Sequence, residues 1–344
     1  MPYLYERPAP SAAIFPSLLT EASRLRAFRP PFSFTGFFSP EDTLLCVLAS
    51  EAALARARLP GASMQMDSPL RIAELTAGSG LVGLHLLRIE RNSTLLGLDI
   101  DRTAVETASA NAHLLGLSRR AQFAGADMKS RNTDNLLTGQ KPQLLVCNPP
   151  YIPEPPGESL AIEAGAGADG AAHVMRAIEL ARAVKPRALS LSWCSLSDPA
   201  GVIAEAERAG YRLNSLFIAV IADGEYSGSV QGYLTGLKTA FLNSSPETLS
   251  AVAPDHSASF GFLLMAGEFS RENTGPRGKE RDNSSHIQTI CSRFARRGIG
   301  SLDSIEAPFA VRVWLLDRWD EVRLRAFLHG RHGEKNEELE NGTE

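Results

Sequence analysis

The stretch Leu70-Arg-Ile-Ala-Glu-Leu-Thr-Ala-Gly-Ser-Gly80-Leu-Val-Gly83 decides the fold of this chain. Its first six residues predict a buried strand, and an apolar helix over Leu81–Ile89 follows a glycine-rich bend. Glycine removes the Cβ atom where backbone must approach a ligand, and a helix N-terminus presents free N–H groups. The spacing Gly78-x-Gly80-x-x-Gly83 therefore favours a dinucleotide or adenosine cofactor site, although a tight strand-to-helix connection alone would also explain it.

On both sides of this stretch, apolar strands alternate with amphipathic helices. The predicted strands are Leu70–Leu75, Thr94–Asp99, Ala121–Ala124, Gln143–Cys147 and Ala188–Trp193, and the predicted helices are Glu41–Arg58, Leu81–Ile89, Thr103–Leu115, Ala171–Val184 and Ala200–Ala209. Arg212–Ile221 and Ser259–Phe269 have no full crossover helix between them, so they predict an antiparallel hairpin at the sheet edge. We therefore predict a doubly wound, Rossmann-like α/β fold with a seven-stranded, mainly parallel sheet.

The flanks of this pattern are less regular. Residues 1–35 predict an irregular arm with one helix around Ser17–Ala27, and residues 36–270 predict one α/β domain with an insertion at 222–258. Residues 271–344 predict a flexible segment over 271–288, a short C-terminal extension and an acidic tail. Within that extension, Ala310–Leu316 predicts a strand and Trp319–Phe327 a helix.

The composition excludes several classes of protein. The 344 residues are 44% hydrophobic and 22% charged, which is typical of a globular protein and excludes collagen, coiled coil and wholesale disorder. The formal net charge of −4 argues against a protein that coats nucleic acid. The four cysteines are far apart and lack metal-ligand spacing, so we expect no metal and a reducing, cytoplasmic location. No apolar run is long enough to span a bilayer, so we expect no membrane partner.

Acidic residues stand at the carboxyl ends of three consecutive predicted strands. Glu74 precedes the glycine-rich bend, Asp99 closes the second strand, and Asp127 follows the third. A carboxylate at the second position can accept both hydroxyls of a ribose, and one at the third can accept the amino group of an adenine. Because ligands of open α/β sheets bind at this edge, we expect the three acids to lie around a cofactor.

The fourth predicted strand ends in Asn148-Pro149-Pro150-Tyr151. Two prolines must leave the sheet, since neither donates a backbone hydrogen bond, and a stiff loop entry is the simpler interpretation. The alternative is a pocket for a planar NH2 group. In that pocket the Asn148 side-chain oxygen and the Pro149 carbonyl each accept one N–H, while Tyr151 packs over the plane.

These residues carry a family resemblance. Glu74-Leu-Thr-Ala-Gly-Ser-Gly80, Asp99, Asp127-Met128 and Asn148–Tyr151, in this order and spacing, resemble class I S-adenosylmethionine-dependent methyltransferases of the branch that methylates amino groups. That branch includes adenine-N6, guanine-N2 and release-factor glutamine methyltransferases. The family usually has glycine at the position of Thr76.

Three further segments narrow the resemblance. Similarity to the glutamine-methylating group lies in Cys147-Asn-Pro-Pro-Tyr-Ile-Pro-Glu154, followed by Gly167-Ala-Asp-Gly170 and Arg176. Upstream, Phe38-Ser-Pro-Glu-Asp-Thr-Leu-Leu45 resembles the segment that closes over the cofactor. The resemblance implies a catalytic turn at Asn148, Pro149, Pro150 and Tyr151, and S-adenosylmethionine bound by Glu74, Thr76, Ala77, Gly78, Gly80, Asp99, Ile100, Asp127, Met128 and Asn148.

The implied function is methylation of a planar amide or amino nitrogen on a macromolecule, with the N5 atom of a protein glutamine as the leading acceptor. The alternative acceptor is adenine N6 or guanine N2 of RNA or DNA. Residues 271–297, with seven basic against three acidic residues, suit a nucleic acid. A protein acceptor instead suits the insertion, with Tyr226, Tyr233, Leu234 and Phe241 as contacts.

Two other classes of function compete with methyl transfer. An NAD(P)-dependent oxidoreductase would use Gly78–Gly83 but leaves the Asn148–Tyr151 turn unexplained. A non-catalytic scaffold is suggested by Thr76 and by the unusual sequence Leu191–Ser197 after the fifth strand.

Overall fold

The computed structural model describes residues 13–15, 18–29, 31–34, 38–59, 68–222, 230–234, 241–242, 260–271, 283–298, 301–302 and 305–315. The strands are β1 (Ala13–Phe15), β2 (Leu70–Leu75), β3 (Ser93–Asp99), β4 (Ala121–Gly125), β5 (Leu144–Cys147), β6 (Ala188–Cys194), β7 (Tyr211–Ala222), β8 (Phe241–Leu242), β9 (Phe260–Arg271) and β10 (Ala310–Leu315). The helices are α1 (Pro40–Ala57), α2 (Leu81–Ile89), α3 (Arg102–Leu114), α4 (Arg131–Gln140), α5 (Ala172–Val184), α6 (Pro199–Arg208), α7 (Gln231–Leu234) and α8 (Asn283–Arg297), with a 3-10 helix at Leu18–Leu25.

One mixed sheet organises these elements. Its strand order is β4-β3-β2-β5-β6-β9-β7-β10-β1, and β8 pairs with β9. The central strand β2 runs parallel to both neighbours, with Leu75 opposite Leu98 on β3 and Cys147 on β5. The chain order reverses between β2 and β5, and the carboxyl ends on either side of such a reversal are where open α/β sheets bind ligands.

Helices cover both faces of the sheet. The core on one face is built from α1, α2 and α3 with the 3-10 helix, and the core on the other from α4, α5, α6 and α8. The central strands are therefore buried on both sides, as β5 and β6 show at every residue. Such strands read as continuous apolar runs, which explains why their positions were predictable. The doubly wound, Rossmann-like α/β prediction is confirmed.

The antiparallel pairing of β7 and β9 is confirmed, but the prediction of an edge hairpin in a seven-stranded sheet is wrong. β9 inserts between β6 and β7, and β10 pairs in parallel with β7. β1 then pairs in parallel with β10, so the described part of the sheet has ten strands. The extension is stabilised by aromatic packing, because Trp314 stacks on Phe217 of β7 and on Phe15 of β1 with centroid distances of 6.0 and 5.0 Å.

Other differences lie outside the central strands. The predicted helix near Ser17–Ala27 is the 3-10 helix, α4 was not predicted, and α8 begins inside the segment predicted to be flexible. That last prediction is wrong because Ile287, Ile290 and Phe294 form a buried stripe at helical spacing. The predicted helix at Trp319–Phe327 and the acidic tail lie outside the described residues. The domain boundaries at 35 and 270 stay predictions, although β1 and β10 join the sheet from both flanks.

In the part of the chain that the structure describes, no helix combines the length and the apolar character needed to cross a membrane.

Candidate active site

The glycine turn, defined here as residues 76–80, connects β2 to α2. Thr76, Gly78 and Gly80 have φ angles of +52°, +52° and +80°. These left-handed angles suit glycine but strain a β-branched residue, which explains why the resembling family usually has glycine where Thr76 stands. The Thr76 Oγ1 donates to the Leu75 carbonyl and lies 3.9 Å from the Cys147 Sγ on β5. The Thr76 side chain therefore joins the turn to the ends of β2 and β5.

Glu74 lies beneath the glycine turn rather than at its rim. Its carboxyl is 3% exposed, and Oε2 accepts from the Gly83 N–H at 3.0 Å. Burial raises the pKa of Glu74 to about 8, against the opposing effect of that hydrogen bond. A Cβ atom at Gly83 would lie 2.4 Å from Oε2, so this close contact between α2 and β2 requires glycine.

Asp99 at the end of β3 is tied directly to the glycine turn. Its Oδ2 accepts from the Gly78 N–H at 2.8 Å and its Oδ1 from the Asp101 N–H at 2.9 Å. The carboxyl is partly buried, and burial raises its pKa. The next residue, Ile100, has 54% of its surface exposed beside this carboxyl. The structure thus brings together three of the predicted cofactor residues, Gly78, Asp99 and Ile100.

The loop after β4 carries Asp127 and Met128. Asp127 is exposed and its Oδ1 accepts from the Lys129 N–H, whereas Met128 is buried. Arg176 on α5 fixes this loop, because its Nε donates to the Met128 carbonyl and its Nη2 reaches both oxygens of Asp134 at 2.9 and 3.0 Å. These are charge-assisted hydrogen bonds, here from one guanidinium nitrogen to both carboxylate oxygens, and they are stronger than neutral ones. Arg176 therefore has a structural role at the third acidic position.

The acceptor turn, defined here as Asn148–Tyr151, leaves the sheet from β5. The Asn148 Oδ1 is buried and has no hydrogen-bond partner among the described residues. The Tyr151 hydroxyl donates to the Asp42 Oδ2 at 3.1 Å, and its main-chain carbonyl lies 3.6 Å from the Cys194 Sγ. Burial, followed by the negative charge of Asp42, raises the pKa of Tyr151 well above its usual range, so the hydroxyl stays protonated.

The chain after the acceptor turn folds back into an ordered loop. The Glu154 carboxylate accepts from the Leu160 and Gly167 N–H groups at 2.9 and 2.7 Å. Tyr233, from the predicted insertion, donates its hydroxyl to the Ala168 carbonyl at 3.4 Å. Leu234 is fully buried in the core, whereas Tyr226 and the Phe241 side chain lie outside the described residues.

Two residues at the site were not predicted individually. Asp42 on α1 lies 109 residues before Tyr151, and only the resemblance of Phe38–Leu45 to a closing segment pointed to it. Asn111 on α3 donates from Nδ2 to the Ser79 and Ser33 carbonyls at 3.0 and 2.8 Å, which ties the N-terminal arm to the glycine turn. Nothing in the sequence near Asn111 signals that contact.

No group of His, Cys, Asp and Glu residues in the described ranges is arranged to hold a metal ion. The basic stretch predicted for a nucleic acid is described only in part. Its residues Arg293, Arg296 and Arg297 are exposed on α8, which packs against α6, whereas Arg277, Lys279 and Arg281 lie outside the described residues.

The comparisons with known proteins agree with the motifs. Residues 59–161 match the family model of the methyltransferase small domain. A release factor glutamine methyltransferase from Rhodospirillum rubrum is 42% identical over 83 residues, or 24% of each chain. A tRNA1(Val) (adenine(37)-N6)-methyltransferase from Porphyromonas gingivalis is 31% identical over 84 residues, which cover 24% of this chain and 33% of that one. Over residues 59–161 the match is to a methyltransferase domain, the general class of protein that the motifs predicted.

The similarity is confined to part of each relative. The chain spans about a quarter to a third of the length of these two relatives. Among solved structures, a putative RNA methyltransferase from Pyrococcus horikoshii is 11% identical, with a TM-score of 0.42, 74% of this chain covered and 100% of that chain.

Proposed function

We propose that this chain, which carries a methyltransferase small domain, transfers a methyl group from S-adenosylmethionine to a planar amide or amino nitrogen. The N5 atom of a protein glutamine is the proposed acceptor. The observation that carries the proposal is the Asn148 Oδ1, an acceptor oxygen that is buried beside the glycine turn and has no partner in the described structure. An unpaired buried acceptor costs about 1–3 kcal/mol unless a ligand pairs with it.

The glycine turn and its neighbours fit the cofactor. At Gly78 an added Cβ atom would meet nothing within 4 Å, so a ligand could approach the backbone there, whereas Gly80 is needed for close packing against Phe123. Asp99 is held at the edge by the Gly78 N–H, where it would accept the ribose hydroxyls. Ile100 and the loop of Asp127 and Met128 would bind the adenine. When bound, S-adenosylmethionine supplies a methyl group made electrophilic by its positively charged sulfur.

The acceptor turn supplies positioning rather than a nucleophile. An amide or aromatic amino nitrogen has a delocalised lone pair and is a poor nucleophile. If its two N–H groups donate to the Asn148 Oδ1 and the Pro149 carbonyl, its lone pair turns toward the methyl group. Tyr151 packs over the plane, and Pro150 keeps the turn rigid. Orientation and electrostatics would then supply most of the rate acceleration.

Two observations support glutamine as the acceptor. The sequence after Tyr151 resembles the glutamine-methylating group, and Glu154 gives this loop a defined shape through its bonds to Leu160 and Gly167. The relative from Rhodospirillum rubrum is named for the same reaction. Adenine N6 is the second candidate, supported by the relative from Porphyromonas gingivalis and by the exposed arginines of α8.

Transfer of a radiolabelled methyl group into fractionated cell extract tests the proposal. The purified chain is incubated with extract and labelled S-adenosylmethionine, and the products are treated separately with protease and nuclease. We expect protease-sensitive label, whereas nuclease-sensitive label would establish a nucleic-acid acceptor. If the chain binds NADH and not S-adenosylmethionine, it is an oxidoreductase. If it binds S-adenosylmethionine but labels no polymer, it is a scaffold. Either of these last two results would overturn the proposal.

A further inference from the structure

Asp42 reaches the acceptor turn from a distant part of the chain. It stands in the first turn of α1, where Ser39 caps the helix and accepts from the Asp42 N–H at 3.3 Å. Its side chain is 7% exposed and points inward, and its Oδ2 accepts the Tyr151 hydroxyl at 3.1 Å. Hydrogen bonding from the Asn148 side chain also acts on this carboxyl. One carboxylate therefore bonds Tyr151 directly and lies close enough to Asn148 for that side chain to lower its pKa.

The chemistry of a carboxylate determines how the Asn148 amide is oriented. An ionised carboxylate only accepts hydrogen bonds, so it attracts the amide NH2 of Asn148 and not the amide oxygen. The Asn148 Oδ1 is then left buried and unpartnered among the described residues, as is the Asp42 Oδ1. A protonated Asp42 would carry an O–H donor, which can pair with the Asn148 oxygen and remove it as an acceptor.

The surroundings of Asp42 bring the pKa of its carboxyl group close to neutral pH. Burial, followed by the charge of Glu41 on the same helix, raises the pKa of Asp42 to about 7, while hydrogen bonds from Tyr151 and Asn148 oppose the rise. The other titratable groups that act on it are the thiols of Cys46 on α1 and Cys194 on β6. Burial raises the pKa of each thiol to about 12, so both are neutral. Glu41 is thus the one charged group identified as facing Asp42 in the described structure.

We propose that Asp42 is a positioning residue for methyl transfer, whose ionised carboxylate holds the Asn148 amide and the Tyr151 hydroxyl so that the Asn148 oxygen stays open to the acceptor N–H. This inference rests on the proposed methyl transfer. It adds that the rate depends on the ionisation of a residue outside the acceptor turn. Turnover rises with pH as Asp42 loses its proton, and cofactor binding does not follow the same dependence.

The test compares Asp42→Asn and Glu41→Gln with the wild-type chain. For each protein, kcat is measured from pH 5.5 to 9 with the acceptor identified by labelling, and the Kd of S-adenosylmethionine is measured separately. We expect wild-type kcat to rise through about pH 7. Asp42→Asn should lose this rise, and its kcat at pH 8 should be lower by about tenfold or more, because a hydrogen-bonded charge is lost. Its Kd for S-adenosylmethionine should be unchanged. Glu41→Gln should shift the rise to lower pH, since the repelling charge is gone.

The outcomes separate this inference from the proposed function. If the wild-type chain transfers no methyl group, the proposed function is wrong. A wild-type chain that is active, with an Asp42→Asn variant that keeps the same pH profile, overturns the role of Asp42 alone. A uniform loss of turnover with the rise intact would also overturn it, because that pattern indicates only structural damage. If Asp42→Asn does not fold, Glu41→Gln decides, and an unshifted rise contradicts the proposal.

Discussion

The glycine turn and the acceptor turn lie side by side at the end of the sheet. Backbone N–H groups of the glycine turn are paired in hydrogen bonds, whereas the acceptor turn contains a buried oxygen that is not. In the glycine turn, the Gly78 N–H donates to Asp99, the Ala77 N–H donates to the Leu98 carbonyl, and the Gly83 N–H beyond it donates to Glu74. In the acceptor turn, the Asn148 Oδ1 is buried without a partner among the described residues.

This difference indicates that the cofactor and the methyl acceptor obtain their binding energy in different ways. A turn whose hydrogen bonds are already made keeps its shape and offers a preformed surface to the cofactor. A turn with an open buried oxygen is destabilised by itself, and the cost is recovered only when an N–H donor enters. We therefore expect substitutions in the two turns to have separable effects on cofactor binding, methyl transfer and stability.

The largest expected effect comes from removing the open oxygen. Asn148→Ala should lower kcat for methyl transfer by about 100-fold or more, the scale seen when one positioned hydrogen-bonding group is deleted from an active site. Its Kd for S-adenosylmethionine should stay within about threefold of wild type. Asn132→Ala, in an exposed position on α4, is the matched control and should leave both values unchanged. Unchanged turnover in Asn148→Ala would contradict the role of the acceptor turn.

The next effect concerns the packing under the glycine turn. Gly83→Ala should destabilise the fold by about 1–3 kcal/mol, because its Cβ would lie 2.4 Å from Glu74 Oε2 and 2.6 Å from Leu95. Gly139→Ala, in α4 with nothing within 4 Å, should instead stabilise the fold by about 0.5–1 kcal/mol. Denaturant unfolding of both variants measures the contrast. Equal free energies of unfolding would show that the close approach of α2 to β2 is not needed.

The buried carboxyl of Glu74 gives the glycine turn a pH dependence. Its pKa rises from 4.5 to about 8 on folding, so between these values the folded chain holds a proton that the unfolded chain has lost. Stability therefore falls as pH rises through this window. Glu74→Gln should match wild type near pH 4.5 and be more stable at pH 8 by on the order of 1–3 kcal/mol. Parallel stability curves from pH 4.5 to 8 would contradict the assignment.

The smallest effect tests the strained residue of the glycine turn. Thr76 holds a φ of +52°, which costs a β-branched residue about 1–3 kcal/mol and glycine nothing. Part of that gain is offset by the larger unfolded-state entropy of glycine, about 0.5–1 kcal/mol. Thr76→Gly should therefore raise the free energy of unfolding by up to about 2 kcal/mol. A loss of stability would mean that the Thr76 hydroxyl bond outweighs the strain.

The central part of the fold was predictable because its signals are local. Four of its strands, β2, β3, β5 and β6, are short, mainly apolar and largely buried. Gly78–Gly83 and Asn148–Tyr151 directly follow two of them. Loop residues that follow buried parallel strands share one sheet edge, so the order of the strands along the chain is enough to predict that Asp99 lies beside the glycine turn.

The remaining features depend on contacts between distant segments. Asp42 and Tyr151 are 109 residues apart, and their hydrogen bond depends on how α1 packs across the sheet. The pairing of β1 with β10 also joins distant segments and could not be predicted. In addition, β1 has three residues, too few to show an alternating pattern. In α8 the apolar stripe is short and lies among polar residues, which made a helix look like a flexible segment.

Titration of Asp99→Asn and Asn148→Ala with S-adenosylmethionine tests the contrast between the two turns most directly. Calorimetry on the two variants and wild type gives three Kd values under the same conditions. We predict that Asp99→Asn binds the cofactor about tenfold or more weakly, because it loses a charged acceptor for the ribose hydroxyls, while Asn148→Ala binds as wild type does. Equal weakening in both variants, or full binding by Asp99→Asn, would contradict the division of roles between the glycine turn and the acceptor turn.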